Sequence, residues 1–272
     1  MVGNRTPVEV SGIGFGGQDF VVIAGPCAVE SEDQILRTAR FVAGLGARML
    51  RGGAFKPRTS PYSFQGLGAE GLKLLAAARA ATGLRVVTEV MAVGQIQTVA
   101  AVADMLQIGS RSMHNDELLA AAGETGKPVL LKRGMTATVE EVADAAELLR
   151  ARGCPGVVIC ERGIRTFGDA TRNTCDIAAV ALLQRMTGLP VIVDPSHATG
   201  RADLVAPVSK AAVAIGADGL IVEVHPEPAA ALSDGRQSLS FPEFREMVEE
   251  LEPHLATWRE TRARARAHAL AR

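Results

Sequence analysis

Eight short aliphatic runs recur along the chain: FVVIAGPC (20–27), ARMLRGG (47–53), LRVVTEV (84–90), DMLQIGS (104–110), PVLLKRG (128–134), GVVICERG (156–163), PVIVDPSH (190–197) and DGLIVEVHP (218–226). Each has strand length and a continuous rather than alternating apolar character, the pattern of strands covered on both faces. Between them lie segments with helical apolar spacing, such as SEDQILRTARFVAGLG (31–46), TVEEVADAAELLRARG (138–153) and TCDIAAVALLQRMTG (174–188). Several open on Ser or Thr and close on Gly, as helix caps require. Strand followed by helix, eight times, predicts a TIM (β/α)8 barrel, with a doubly wound open sheet as the competing arrangement. Ahead of the first run, PVEVSGIGFGGQDF (7–20) predicts a short N-terminal β-hairpin closing the barrel bottom. Residues 241–260 read as a helix, and the Arg/Ala alternation of TRARARAHALAR (261–272) as its solvated, fraying end. The chain therefore reads as a single barrel domain over 1–272, with the hairpin inside 1–19 and a tail over about 260–272.

Composition narrows the function classes. With 47% hydrophobic and 22% charged residues the 272-residue chain has the balance of a globular protein with a sizeable core. Aromatic residues are only 4%, which argues against a base-stacking platform, and no basic surface with interleaved aromatics accompanies the Arg-rich end; nucleic acid is not an expected partner. No run reaches the roughly 18 apolar residues of a membrane span, and the N-terminus lacks a cationic segment followed by an apolar one. A cytoplasmic location follows as an expectation. Cys27, Cys154, Cys160 and Cys175 show no CxxC spacing, so free thiols or a metal thiolate are expected ahead of disulfides.

Charge then acquires a geometry. In a barrel the strand ends and the loops after them form the face that carries the site. Cys27, Arg51, Glu89, Arg111, Lys132, Arg162, His197 and Glu223 each stand at or just after one run. Polar residues gather wherever an apolar run meets water, which accounts for any one of them. It does not account for the sorting: Arg51, Lys56, Arg58, Arg111, Lys132 and Arg162 bring six cations to one face of a chain whose net charge is −1. Such clustering is sensible if small polyanions neutralise it, and phosphate and carboxylate suit Arg best. Cys27, His197, Glu223 and Asp234 come from the first, seventh and eighth strands and the final loop, which are neighbours once the barrel closes. Their mixed soft and hard donors suit a divalent Mn, Fe, Co or Zn ion. His225 shares a strand with Glu223 and is equally well explained as structural; His114, His254 and His268 follow no pattern.

The motifs GPCAVES, RGGAFKPRTSPYSFQGLG, QIGSRSMHN, LLKRGM, ICERGIRTF, DPSHATG, IVEVHP and LSDGRQSL together resemble 3-deoxy-D-arabino-heptulosonate 7-phosphate (DAHP) synthase of the type I-beta subfamily, from about Phe20 to Phe244. The resemblance implies condensation of phosphoenolpyruvate (PEP) with erythrose 4-phosphate, the first step of the shikimate route to aromatic amino acids. It places Arg111, Lys132 and Arg162 on the PEP phosphate, Arg51 and Lys56 against its carboxylate, Arg58 and Thr59 on erythrose 4-phosphate, and Glu89 near the PEP. Lys56, Lys132, Glu89 and His197 stand as catalytic candidates. Cys27, His197, Glu223 and Asp234 match the family's metal ligands without substitution. A homotetramer or homodimer is the family habit.

Two other readings compete. A 3-deoxy-D-manno-octulosonate 8-phosphate (KDO8P) synthase shares barrel and chemistry but uses arabinose 5-phosphate and carries a K-A-N-R-S-S type loop, where this chain has KPRTS. A non-catalytic barrel binding phosphorylated ligands would tolerate loss of a ligand or a cation, and none is lost. With the first strand near Phe20, neither an N-terminal ferredoxin-like domain nor a fused chorismate mutase is expected, nor feedback inhibition by Phe or Tyr without a separate protein.

Overall fold

The computed structural model describes residues 6–56 and 62–270. Arg58 and Thr59, assigned above to the aldose phosphate, lie outside the described residues. Two antiparallel strands, β1 (Val8–Val10) and β2 (Ile13–Phe15), pair Val8 with Phe15 and Val10 with Ile13. The turn between them puts Ser11 and Gly12 at positive φ, which glycine adopts without a Cβ penalty.

Eight parallel strands follow: β3 (Val21–Gly25), β4 (Met49–Arg51), β5 (Arg85–Val90), β6 (Met105–Ile108), β7 (Val129–Lys132), β8 (Val157–Glu161), β9 (Val191–Val193) and β10 (Gly219–Glu223). They close in the order β10-β3-β4-β5-β6-β7-β8-β9, so the chain is the expected (β/α)8 barrel with an N-terminal hairpin. The connecting helices are α1 (Glu32–Gly44), α2 (Ala69–Thr82), α3 (Ile96–Ala100), α4 (Asp116–Gly123), α5 (Val139–Ala151), α6 (Ile177–Thr187), α7 (Pro195–Thr199) and α8 (Val205–Ile215), with α9 (Phe241–Leu270) last. Ser31 caps α1, and Thr138 with Glu141 forms a capping box on α5. Asp176, rather than the Thr174 that opens the 174–188 segment, caps α6.

Strand alternation divides the core in two. Val21, Ile23, Met49, Val87, Met105, Leu130, Val158, Cys160, Ile192 and Ile221 fill the barrel interior together with Val8, Val10, Ile13 and Phe15 of the hairpin. The hairpin is thus an apolar plug, each large side chain worth about 1.5–3 kcal/mol of transfer free energy. The opposite strand faces pack against the helices in a separate cluster.

The stretch from about 260 is continuous with α9, and its Arg262 is largely withdrawn from solvent. Its guanidinium lies over the Trp258 ring at 4.6 Å and pairs with the fully buried Asp218, while also donating to Gly216 O at 3.2 Å. Asp218 in turn accepts from Val191 N (2.8 Å) and Gln184 Nε2 (3.0 Å), so one carboxylate ties α9, α6 and β9 together beneath the barrel.

Candidate active site

A side chain two residues beyond an inward-facing position also faces inward. Counting two forward from Met49, Val87, Met105, Leu130, Cys160, Ile192 and Ile221 lands on Arg51, Glu89, Gln107, Lys132, Arg162, Asp194 and Glu223. The barrel interior is apolar for its lower layers and almost wholly ionic in the layer above. That upper layer floors a bowl of about 660 Å³, open mouth included. Arg51, Lys56, Arg111, Lys132 and Arg162 all line it, together with Arg172, Glu89 and Gln107.

Cys27, His197, Glu223 and Asp234 meet at one side, each offering a donor atom within 4.8 Å of the others. Cys27 Sγ is 3.1 Å from Asp234 Oδ2 and 2.9 Å from Lys56 Nζ. His197 Nε2 is 3.4 Å from Glu223 Oε1 and 4.0 Å from Asp234 Oδ2. Glu223 Oε1 is fully buried and has no hydrogen-bond partner; Arg51 Nη1 comes within 3.0 Å of it, near enough for attraction but not aligned for a bond. An orphaned carboxylate oxygen facing an imidazole nitrogen, a thiol and a second carboxylate fits a divalent cation. Burial and the Glu223 charge push the Cys27 thiol up to about 12, against the lowering pull of Lys56. Burial alone would raise Asp234, yet His197 and the Cys27 hydrogen bond outweigh it and hold the carboxyl at about 2.

The DPSH segment builds the histidine into place. His197 sits on the single-turn helix α7 rather than on a strand end. Asp194 caps that helix, its Oδ1 accepting from His197 N at 2.8 Å, while Oδ2 meets His197 Nδ1 at 2.8 Å and also pairs with Lys132 Nζ. Ser196 Oγ accepts from Glu223 N at 3.0 Å, locking α7 to β10. Burial lowers His197, while Asp194 is held well below the usual carboxylate range because His197 and Lys132 outweigh its own burial.

The remaining cations differ in how they are held. Arg162 is buried, its Nε has no partner, and burial lowers its pKa. Its loop is anchored from below by Glu161, which accepts from Arg133 Nη1 at 2.9 Å and from Gly163 N at 2.7 Å. Glu89 accepts from Gln107 Nε2 at 3.3 Å, and a Cβ on Gly109 would stand 1.9 Å from Glu89 Oε1, so a side chain there would displace that carboxylate. His225 ties Glu30 at 3.3 Å and accepts from Glu227 N at 3.0 Å, a loop contact outside the bowl. All four cysteines are free thiols.

Sequence reasoning missed Asp194, Gln107, Arg172 and Ser233. The two-residue register from the apolar interior layer marks the first two. Arg172, which donates to Gln237 Oε1 at 2.9 Å and lies 3.3 Å from Asp234 Oδ1, comes from an irregular loop with no periodic signal. Ser233 Oγ, 3.1 Å from Cys27 Sγ, is likewise a loop residue.

Residues 5–257 match the family model described as the DAHP synthetase I family. Phospho-2-dehydro-3-deoxyheptonate aldolase of Thermotoga maritima is 52% identical over 246 residues, covering 90% of this chain and 73% of the relative. The crystal structure of the DAHP synthase from that organism superposes with a TM-score of 0.92 at 49% identity, over 94% of this chain and 75% of the other. More distant is 2-dehydro-3-deoxyphosphooctonate aldolase of Syntrophotalea carbinolica, 34% identical over 90% of this chain and 94% of the relative. With the family match spanning nearly the whole barrel and a relative 52% identical over 90% of the chain, the chain belongs to the DAHP synthetase I family.

Proposed function

We propose that the chain condenses PEP with erythrose 4-phosphate and water to give DAHP and inorganic phosphate. The observation that carries this is the bowl itself: six described lysines and arginines line it, beside an orphaned carboxylate oxygen in a four-donor cluster. Identity is also higher to the heptonate relative (52%) than to the octonate relative (34%), which favours the four-carbon aldose.

In this reading Arg111, Lys132 and Arg162 hold the PEP phosphate, while Arg51 and Lys56 face its carboxylate. Two polyanions repel at reacting distance, and the cations offset that repulsion while fixing orientation. PEP C3 attacks the aldehyde carbon, forming the new carbon–carbon bond, and water adds to the resulting electron-poor C2. The phosphohemiketal then breaks its C2–O bond and releases phosphate. A divalent ion, when held by Cys27, His197, Glu223 and Asp234, supplies Lewis-acid stabilisation of the aldehyde oxygen as negative charge grows there. Glu89, steadied by Gln107, and Lys132, steadied by Asp194, are the groups placed to take and return protons around PEP.

The test is phosphate release from PEP with each aldose phosphate supplied separately. Turnover with erythrose 4-phosphate well above that with arabinose 5-phosphate is expected; the reverse preference assigns the octonate chemistry.

A further inference from the structure

Asp194 follows β9 directly and is fully buried, and its backbone N–H donates to Glu161 O at 2.8 Å, tying it to the end of β8. Its two oxygens serve three groups. Oδ1 is committed to the His197 backbone N–H, and Oδ2 is shared between His197 Nδ1 and Lys132 Nζ. A carboxylate only accepts, so a neutral His197 ring presents Nδ1–H to it and leaves the Nε2 lone pair on the side of Glu223 Oε1. Lys132 is a pocket-lining cation on the side assigned above to the PEP phosphate. One oxygen therefore stands between the two halves of the site.

We propose that Asp194 is a positioning residue that couples the two halves: it fixes the tautomer with which His197 meets a divalent cation, and it competes with incoming phosphate for Lys132. This rests on the assignment of the metal cluster and the PEP cations made above. A cation at Nε2 draws charge from the imidazole and, through it, from Asp194, loosening the hold on Lys132. Phosphate drawing on Lys132 leaves more of the Asp194 charge for His197. Linkage makes the two effects equal in size.

Asp194→Asn keeps the size of the side chain and an oxygen for the cap. Its amide NH2 must then face His197 Nδ1, forcing the ring proton onto Nε2, or face the His197 N–H and lose the cap. The Mn2+ dissociation constant of D194N, measured by calorimetry without PEP, should rise about 10- to 100-fold. PEP affinity of the metal-free variant should hold or tighten, because the anion competing for Lys132 is gone. That opposite response separates positioning from damage to the mouth, which would weaken both. Unchanged Mn2+ affinity, or parallel loss of Mn2+ and PEP binding, overturns the proposal. Wild-type protein that binds neither Mn2+ nor PEP instead overturns the underlying site assignment. Should the variant fail to fold, nitrogen-15 histidine spectra of Zn2+-loaded wild-type protein decide: protonated Nδ1 with ligated Nε2 is expected, and ligation through Nδ1 overturns the proposal.

Discussion

His197 Nε2 and Glu223 Oε1 face each other at 3.4 Å at the mouth of the barrel, and the glutamate oxygen has no hydrogen-bond partner although it is fully buried. Close by, the Cys27 thiol is raised to about 12, first by burial and then by the Glu223 charge. A thiol so raised is protonated across the neutral range, so binding a cation as thiolate must release its proton. The sign follows: raising pH favours the bound state. Apparent Mn2+ affinity should climb about tenfold per pH unit between roughly pH 6 and 8, through this one proton. Equilibrium dialysis across that range measures it, and a flat profile removes Cys27 from the ligand set.

Arg162 lines the bowl, and its buried Nε has no hydrogen-bond partner. A charge-assisted hydrogen bond to phosphate is worth about 1.5–3 kcal/mol, so Arg162→Ala should lower kcat/KM for PEP roughly 10- to 100-fold. Steady-state kinetics with PEP varied at saturating aldose phosphate checks it. The Arg162→Lys variant should recover only part, because a point charge cannot reproduce the planar fork.

The fold was legible where periodicity carries it. Continuous apolar runs announced β3 to β10, and capped helical segments announced α1, α5 and α6. The bowl-lining cations were legible where an apolar run stops abruptly, as at Arg51 and Lys132. Gln107 escaped because Ile108 continues its run, making it look like one polar interruption in a strand. Asp194 escaped because its partner Lys132 is 62 residues away and comes near only when the barrel closes. Arg262 was hidden in an Arg/Ala alternation, although its spacing of four from Trp258 is the helical signature of the stacking it makes.

Phe15 is fully buried in the barrel interior at the end of the hairpin plug. Phe15→Ala should cost about 3–5 kcal/mol of stability, since the packed lower layer cannot collapse into the void. Urea denaturation followed by circular dichroism reads the shift. Loss below about 1 kcal/mol would mean that the hairpin does not cork the barrel.

Asp218 has no exposure and relies on Arg262 for charge compensation from α9. Arg262→Ala removes that ion pair from a buried carboxylate, at a cost of about 3–5 kcal/mol. Asp218→Asn in the Arg262→Ala background should recover part of the loss. Thermal melts of the single and double variants test it, with additive effects counting against the pairing.

The proposed reaction needs a cation held beside two phosphorylated substrates. Phosphate release from PEP in the presence of erythrose 4-phosphate, assayed with EDTA-stripped protein before and after Mn2+ is restored, addresses it directly. No turnover is expected in the stripped protein, with recovery on adding Mn2+. Full turnover by protein shown to contain no metal would contradict it.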